Sequence, residues 1–173
     1  FFNDQWRIPS NENQNKVSNY SMDFDGSSTK IDLGSTIGNI GVSSTTISFW
    51  LNIPTSTSHQ TVLSNRGSGG GWAIEMFNNA GQYIISFLNS SSSTSIRCGF
   101  SDFNTWAHIV FVRDGIANNK IYINGVSQTL TNNNENLTNI ISSKTLTIGA
   151  QDPLSTGYYR FLNGKISNVS IFN

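Results

Sequence analysis

Apolar and polar residues alternate along most of this chain with a period of two. Ile47, Phe49, Leu51 and Ile53 are interleaved with Thr46, Ser48, Trp50 and Asn52, the pattern of a strand with one face in a core. Pro54 has no amide to donate to a ladder and ends it. The same reading predicts strands over 61–64, 72–77, 83–88, 95–100, 106–113, 120–123, 145–148 and 165–172. Turn signals punctuate them at Asn79-Ala80-Gly81, 90–93, Asp114-Gly115, Asn118-Asn119, Asn124-Gly125 and Asn163-Gly164. Asn124-Gly125 directly after Tyr122-Ile123 is the strongest of these, because a type I′ hairpin needs positive φ at both central residues. Helical periodicity is absent apart from a short turn within 133–141. Many short strands and few helices predict two packed antiparallel sheets.

Residues 1–20 read differently. Phe1, Phe2, Trp6 and Ile8 precede the polar run Pro9-Ser10-Asn11-Glu12-Asn13-Gln14-Asn15, which predicts an extended arm or linker whose aromatic start packs on a neighbour or covers an edge of its own domain. The folded domain is expected over 21–173. A start at Phe1-Phe2 in place of Met is that of a processed or excised piece.

With 173 residues the chain is long enough for one all-β domain with a sizeable core. Charged residues are only 12% and the formal net charge is zero. No basic stripe is present, so nucleic acid is not an expected partner. No apolar stretch is long enough to insert in a membrane as a helix. The polar remainder is rich in Ser, Thr and Asn, which suits the solvent faces and loops of sheets. Disorder is the competing reading, but 12% aromatics and regularly spaced apolar runs argue against it. The single cysteine, Cys98, makes no internal disulfide and reads as a buried strand residue.

A series of phrases falls in one order: Ser21-Met22-Asp23-Phe24-Asp25-Gly26, Lys30-Ile31-Asp32-Leu33, Thr46-Ile47-Ser48-Phe49-Trp50-Leu51, Trp106-Ala107-His108-Ile109, Lys120-Ile121-Tyr122-Ile123-Asn124-Gly125 and Gly164-Lys165-Ile166-Ser167-Asn168. The series resembles the laminin-G-like, concanavalin A-like lectin domains over residues 20–173. The resemblance implies a two-sheet jelly-roll sandwich whose last strand returns beside the first. It also implies binding of glycans or protein partners, often with calcium.

The enzyme reading is poor on inventory. The resemblance implies that a glucanase of this kind needs two glutamates and an aspartate on one strand, and glycoside hydrolysis in general needs paired carboxyls. The only glutamates are Glu12, Glu75 and Glu135, and Glu75 in Trp72-Ala73-Ile74-Glu75-Met76-Phe77 has no acidic neighbour. No catalytic activity is expected. His108 reads as structural and His59 as a solvated loop residue.

Two kinds of site remain. Calcium takes hard oxygen ligands, and the resemblance places a structural ion where first and last strands meet. The candidate ligands are Asp23, Asp25 and Asn168, with Asn168 replacing the usual acid and so lowering ligand charge. The competing reading makes Asp25-Gly26 a turn and pairs Asp23 and Asp32 with lysines. A glycan site needs an aromatic plate and fixed polar groups. The glycine-rich segment 65–72 supplies Arg66 and Trp72, with glycines that let backbone approach a ligand, and the loop 152–160 supplies Tyr158 and Tyr159.

The function expected is a non-catalytic recognition or structural module of a larger assembly. A virion protein is the favoured setting, as a phage capsid decoration or fibre domain with weak glycan adhesion, joined to other subunits through the N-terminal arm. The alternatives are a carbohydrate-binding module of a secreted bacterial enzyme and, less favoured, a glucanase-like hydrolase. The expected location is a virion surface or, on the alternative, outside the cell.

Overall fold

The structure, a computed structural model, describes residues 20–34, 37–56, 58–67, 70–89, 95–115, 118–134, 140–151 and 159–173. The expected arm lies outside the described residues but for Tyr20, as do Tyr158 and most of the expected turn within 133–141.

The described residues form thirteen strands, in chain order β1 (Met22–Asp25), β2 (Ile31–Asp32), β3 (Thr45–Asn52), β4 (Gln60–Ser64), β5 (Trp72–Asn79), β6 (Gln82–Asn89), β7 (Ser95–Gly99), β8 (Ala107–Arg113), β9 (Lys120–Ile123), β10 (Val126–Ser127), β11 (Asn132–Asn133), β12 (Thr147–Ile148) and β13 (Asn163–Phe172). They form two antiparallel sheets, a six-stranded one ordered β1-β13-β3-β8-β9-β10 and a seven-stranded one ordered β11-β7-β6-β5-β4-β12-β2. The fold is all-β, a sandwich of jelly-roll type, and the last long strand does return beside the first: Met22 pairs with Ile166 and Phe24 with Gly164.

The core is the meeting of two inner faces. Ile47, Phe49 and Leu51 of β3 and Ile109 and Phe111 of β8 face Trp72, Ile74, Ile85, Phe87 and Ile96 of the other sheet, all essentially buried. Rings link the layers. Phe49 stacks on Phe111 at 6.5 Å, Phe111 meets Phe87 at 6.4 Å, and Phe87 stacks on Trp72 at 5.6 Å.

The turns follow local chemistry. Asn124 and Gly125 have φ of 52° and 78° and close the β9–β10 hairpin, as the Asn-Gly pair predicts. Ala80 and Gly81, at 52° and 90°, close β5–β6. Asn163-Gly164 departs from expectation. It begins β13, where a Cβ on Gly164 would sit 2.6 Å from Asn52 O. This glycine serves strand-to-strand approach, a use that sequence alone does not separate from a turn.

The two sheets differ in cover. On β3 and β8 burial alternates, so the outer face of the six-stranded sheet is half open. On it Trp50 packs against His108 at 5.0 Å. On β4, the first half of β5 and most of β6 burial is continuous. Loops roof the outer face of the seven-stranded sheet, and polar side chains are trapped beneath them.

Candidate functional site

Antiparallel partners point to the same face of a sheet. Glu75 of β5 lies opposite Thr61 of β4 on one side and Ser86 of β6 on the other, and Ser86 lies opposite Arg97 of β7. Because Ile74 and Met76 belong to the core, this row faces outward. Three of its members are nonetheless almost fully buried: Thr61 at 0%, Glu75 at 1% and Ser86 at 1% exposure.

The Glu75 carboxylate is held from above. His59 Nε2 lies 2.8 Å from its Oε2, Arg160 Nη1 donates to its Oε1 at 2.7 Å, and Arg66 Nη1 stands 4.0 Å from the same Oε1. Burial pushes the Glu75 carboxyl up, but the His59 hydrogen bond and charge, with Arg160 and Arg66, outweigh it and hold the group below the usual carboxylate range. Glu75 is therefore ionised at neutral pH, the wrong state for a general acid. Among the described residues no group of three or more His, Cys, Asp and Glu is placed to hold a metal ion.

Each cation is positioned by its loop. Arg160 adopts φ of 58°, its carbonyl accepts from Thr61 N at 2.8 Å, and its guanidinium also donates to Gln151 Oε1 at 3.2 Å. The Gln151–Tyr159 bridge fixes the loop's base. Arg160 lies over the Tyr159 ring at 4.9 Å, a cation–π contact. On the other side Phe77 sits between His59, at 5.2 Å, and the Arg97 guanidinium, at 6.0 Å.

The expected glycan residues divide. Arg66 and Tyr159 do lie at this roofed face. Trp72 does not: it is fully buried, stacked on Phe87, and its Nε1 donates to Gly38 O at 2.6 Å. The expectation of an aromatic plate there is corrected, because the β5 alternation turns residue 72 inward with Ile74 and Met76. A Cβ on Gly70 would meet Ile141 O at 2.1 Å and one on Gly71 would meet Asn65 O at 2.4 Å, so the chain's own backbone occupies that space.

The three expected calcium ligands do not converge. Asp25 is opposite Asn163, which places Asn168 five positions further along β13, roughly 16 Å away at strand rise. The Asp25 carboxylate accepts from the amides of Ser27, Ser28 and Thr29 and from the Ser28 hydroxyl. Those bonds hold it well below the usual carboxylate range. Asp23 pairs with Lys165 at 3.7 Å and Asp32 with Lys30. Asn168 lies in the bulge of β13 with φ of 51°. The described contacts are thus a turn closed by Asp25 and lysine pairs at Asp23 and Asp32.

Sequence reasoning missed His59, Phe77, Arg97 and Arg160. His59, expected to be solvated, is half-buried on Glu75. The one usable signal was Glu75 itself, a charge inside an otherwise apolar strand. Its partners come from 16 residues upstream and 85 downstream, distances that only the fold closes.

The family model for the concanavalin A-like lectin/glucanases superfamily matches residues 25–173. No curated protein matches the sequence. Among solved structures, a heptameric SAP-like pentraxin from Limulus polyphemus superposes with a TM-score of 0.64 at 18% identity, over 87% of this chain and 74% of its own. A structure of botulinum neurotoxin type C, whose cell entry depends on interaction with two ganglioside molecules, gives 0.56 at 20% identity over 83% of this chain and 35% of that one. Domains LG4-5 of the mouse laminin α1 chain give 0.62 at 8% identity over 89% and 42%. This chain thus spans well under half of the toxin and laminin chains. At these identities the likeness is one of fold.

Proposed function

The chain belongs to the concanavalin A-like lectin/glucanases superfamily, and on that premise we propose that it is a non-catalytic recognition module that holds a glycan on the roofed outer face of the seven-stranded sheet. The observation that carries this reading is the polar cluster at Glu75. One buried carboxylate fixes His59, Arg66 and Arg160, whose side chains stay between 19% and 34% exposed, beside the half-buried rings of Phe77 and Tyr159. Fixed donors beside aromatic faces are what a sugar needs, since its hydroxyls want partners and its C–H face stacks. The ganglioside interaction of the botulinum relative supports a glycan as the ligand class. Fold alone does not assign function, so the site carries the argument.

The setting we favour is a larger extracellular assembly in which many copies act together, as on a virion surface with the residue 1–20 arm as attachment. Weak single-site contacts then gain strength by repetition. A secreted enzyme's carbohydrate-binding module is the alternative setting, and a catalytic domain encoded in the same gene would select it.

A glycan array probed with the full chain, with calcium and again with chelator, tests the reading. Binding to defined glycans that is lost in Arg160→Ala supports it. A blank array in both conditions overturns it, as does β-glucan hydrolysis that Glu75→Gln abolishes.

A further inference from the structure

Among the described residues, cations outnumber carboxylates on this face. Arg66, Arg97 and Arg160 share it with Glu75, whose carboxylate is 2% exposed and lies beneath them. Arg66 and Arg160 both turn toward the single oxygen Oε1. Arg97 makes no ion pair among the described residues. Its Nε and Nη2 donate to Ser95 Oγ at 3.2 and 2.8 Å, and its guanidinium faces the Phe77 ring at 6.0 Å. The remaining guanidinium N–H groups are committed to no described partner. A half-buried guanidinium without a counter-ion is costly to hold.

A second observation lies directly beside it. The hydroxyls of Ser86, the cross-strand neighbour of Arg97, and of Thr61, that of Glu75, are buried with no hydrogen-bond partner. Buried hydroxyls are almost always bonded, so each of these two, beside the carboxylate, is open to a further hydrogen bond. Water or a ligand oxygen would supply it.

Building on the glycan reading above, we infer that this site selects an acidic sugar, one whose ring carries a carboxylate, with the anion on Arg97 and the sugar face toward Phe77. A planar guanidinium takes a carboxylate through two parallel N–H···O bonds, which gives direction as well as charge. Arg66 and Arg160 already share the Glu75 carboxylate, which leaves Arg97 as the guanidinium on this face without an acidic partner among the described residues.

The test compares matched pairs by calorimetric titration of the full chain: a sialylated trisaccharide against its desialylated disaccharide, and a glucuronate-containing disaccharide against its neutral glucose counterpart. The acidic member of at least one pair is expected to bind about tenfold tighter or more. The preference should weaken as salt rises, disappear in Arg97→Ala and partly survive in Arg97→Lys. Amide shift mapping at Ser95, Arg97 and Phe77 places the contact even if Arg97→Ala folds poorly. Equal affinity within both pairs overturns the charge assignment while leaving glycan binding intact. Acid preference that Arg97→Ala leaves unchanged, with no shifts on β7, overturns the placement. Binding of neither member of either pair, with a blank array, removes this inference and the proposed function together.

Discussion

Arg160 Nη1 donates to Glu75 Oε1 at 2.7 Å, joining a loop residue to a strand residue 85 positions earlier. That bond ties the roof of the seven-stranded sheet to its outer face, and removing its charge has two consequences.

Glu75→Gln keeps the shape and loses the charge, leaving Arg160 and Arg66 without their carboxylate. The partners are partly exposed, which discounts the loss, so we expect a cost of about 1–2 kcal/mol at neutral pH, read by urea denaturation. The pH dependence has a definite sign. The folded-state pKa of Glu75 is depressed, so the unfolded chain binds more protons. The stabilisation is complete above the unfolded value of about 4.3 and is lost as pH falls through the folded value. The stability gap between wild type and Glu75→Gln should narrow on acidification; a constant gap would remove the ion pair as its cause.

Trp72→Ala should destabilise by about 3–5 kcal/mol, since it empties a fully packed site against Phe87. Trp72→Phe, which loses the Nε1 donation to Gly38 O and some volume, should cost about 1–3 kcal/mol. Both are read from chemical denaturation, and under conditions where each variant remains folded its glycan affinity should match wild type.

Gly164→Ala tests the approach of β13 to β3. The new methyl would meet Asn52 O at 2.6 Å and Ile53 Cγ2 at 2.7 Å, so a loss of about 2 kcal/mol or more is expected. Gly81→Ala is the control, because its φ of 90° is strained for alanine but the space is open; about 1 kcal/mol is expected. Similar melting-temperature shifts for the two would show that the close contact relaxes freely.

Cys98 is buried in the core and burial pushes its thiol up to about 12. Iodoacetamide should label it slowly in the native protein at neutral pH and promptly in denaturant, because the thiolate is the reactive form. Rapid native labelling would mean that β7 opens locally.

Local pattern in the sequence was enough for the longer strands and the fold class, though not for the two-residue strands β2, β10 and β11. Alternation in Ile47, Phe49 and Leu51 set the inner face of β3, and Asn124-Gly125 set a hairpin, because both signals act over a few residues and need no partner to be read. The ordered phrases carried the family in the same way. Tertiary structure alone decided the site. Trp72 and Glu75 sit three residues apart on one strand, and the strand's pleat sends one into the core and the other to the roofed face. Asp25 and Asn168 looked like neighbours because their strands pair, yet the register of β1 on β13 separates them. Asn163-Gly164 has the composition of a turn and lies in a strand, where the glycine answers to Asn52 across the sheet. Register, strand order and loop return are set by the closing of the whole sandwich, and they bring His59, Arg97 and Arg160 to the face that carries Glu75.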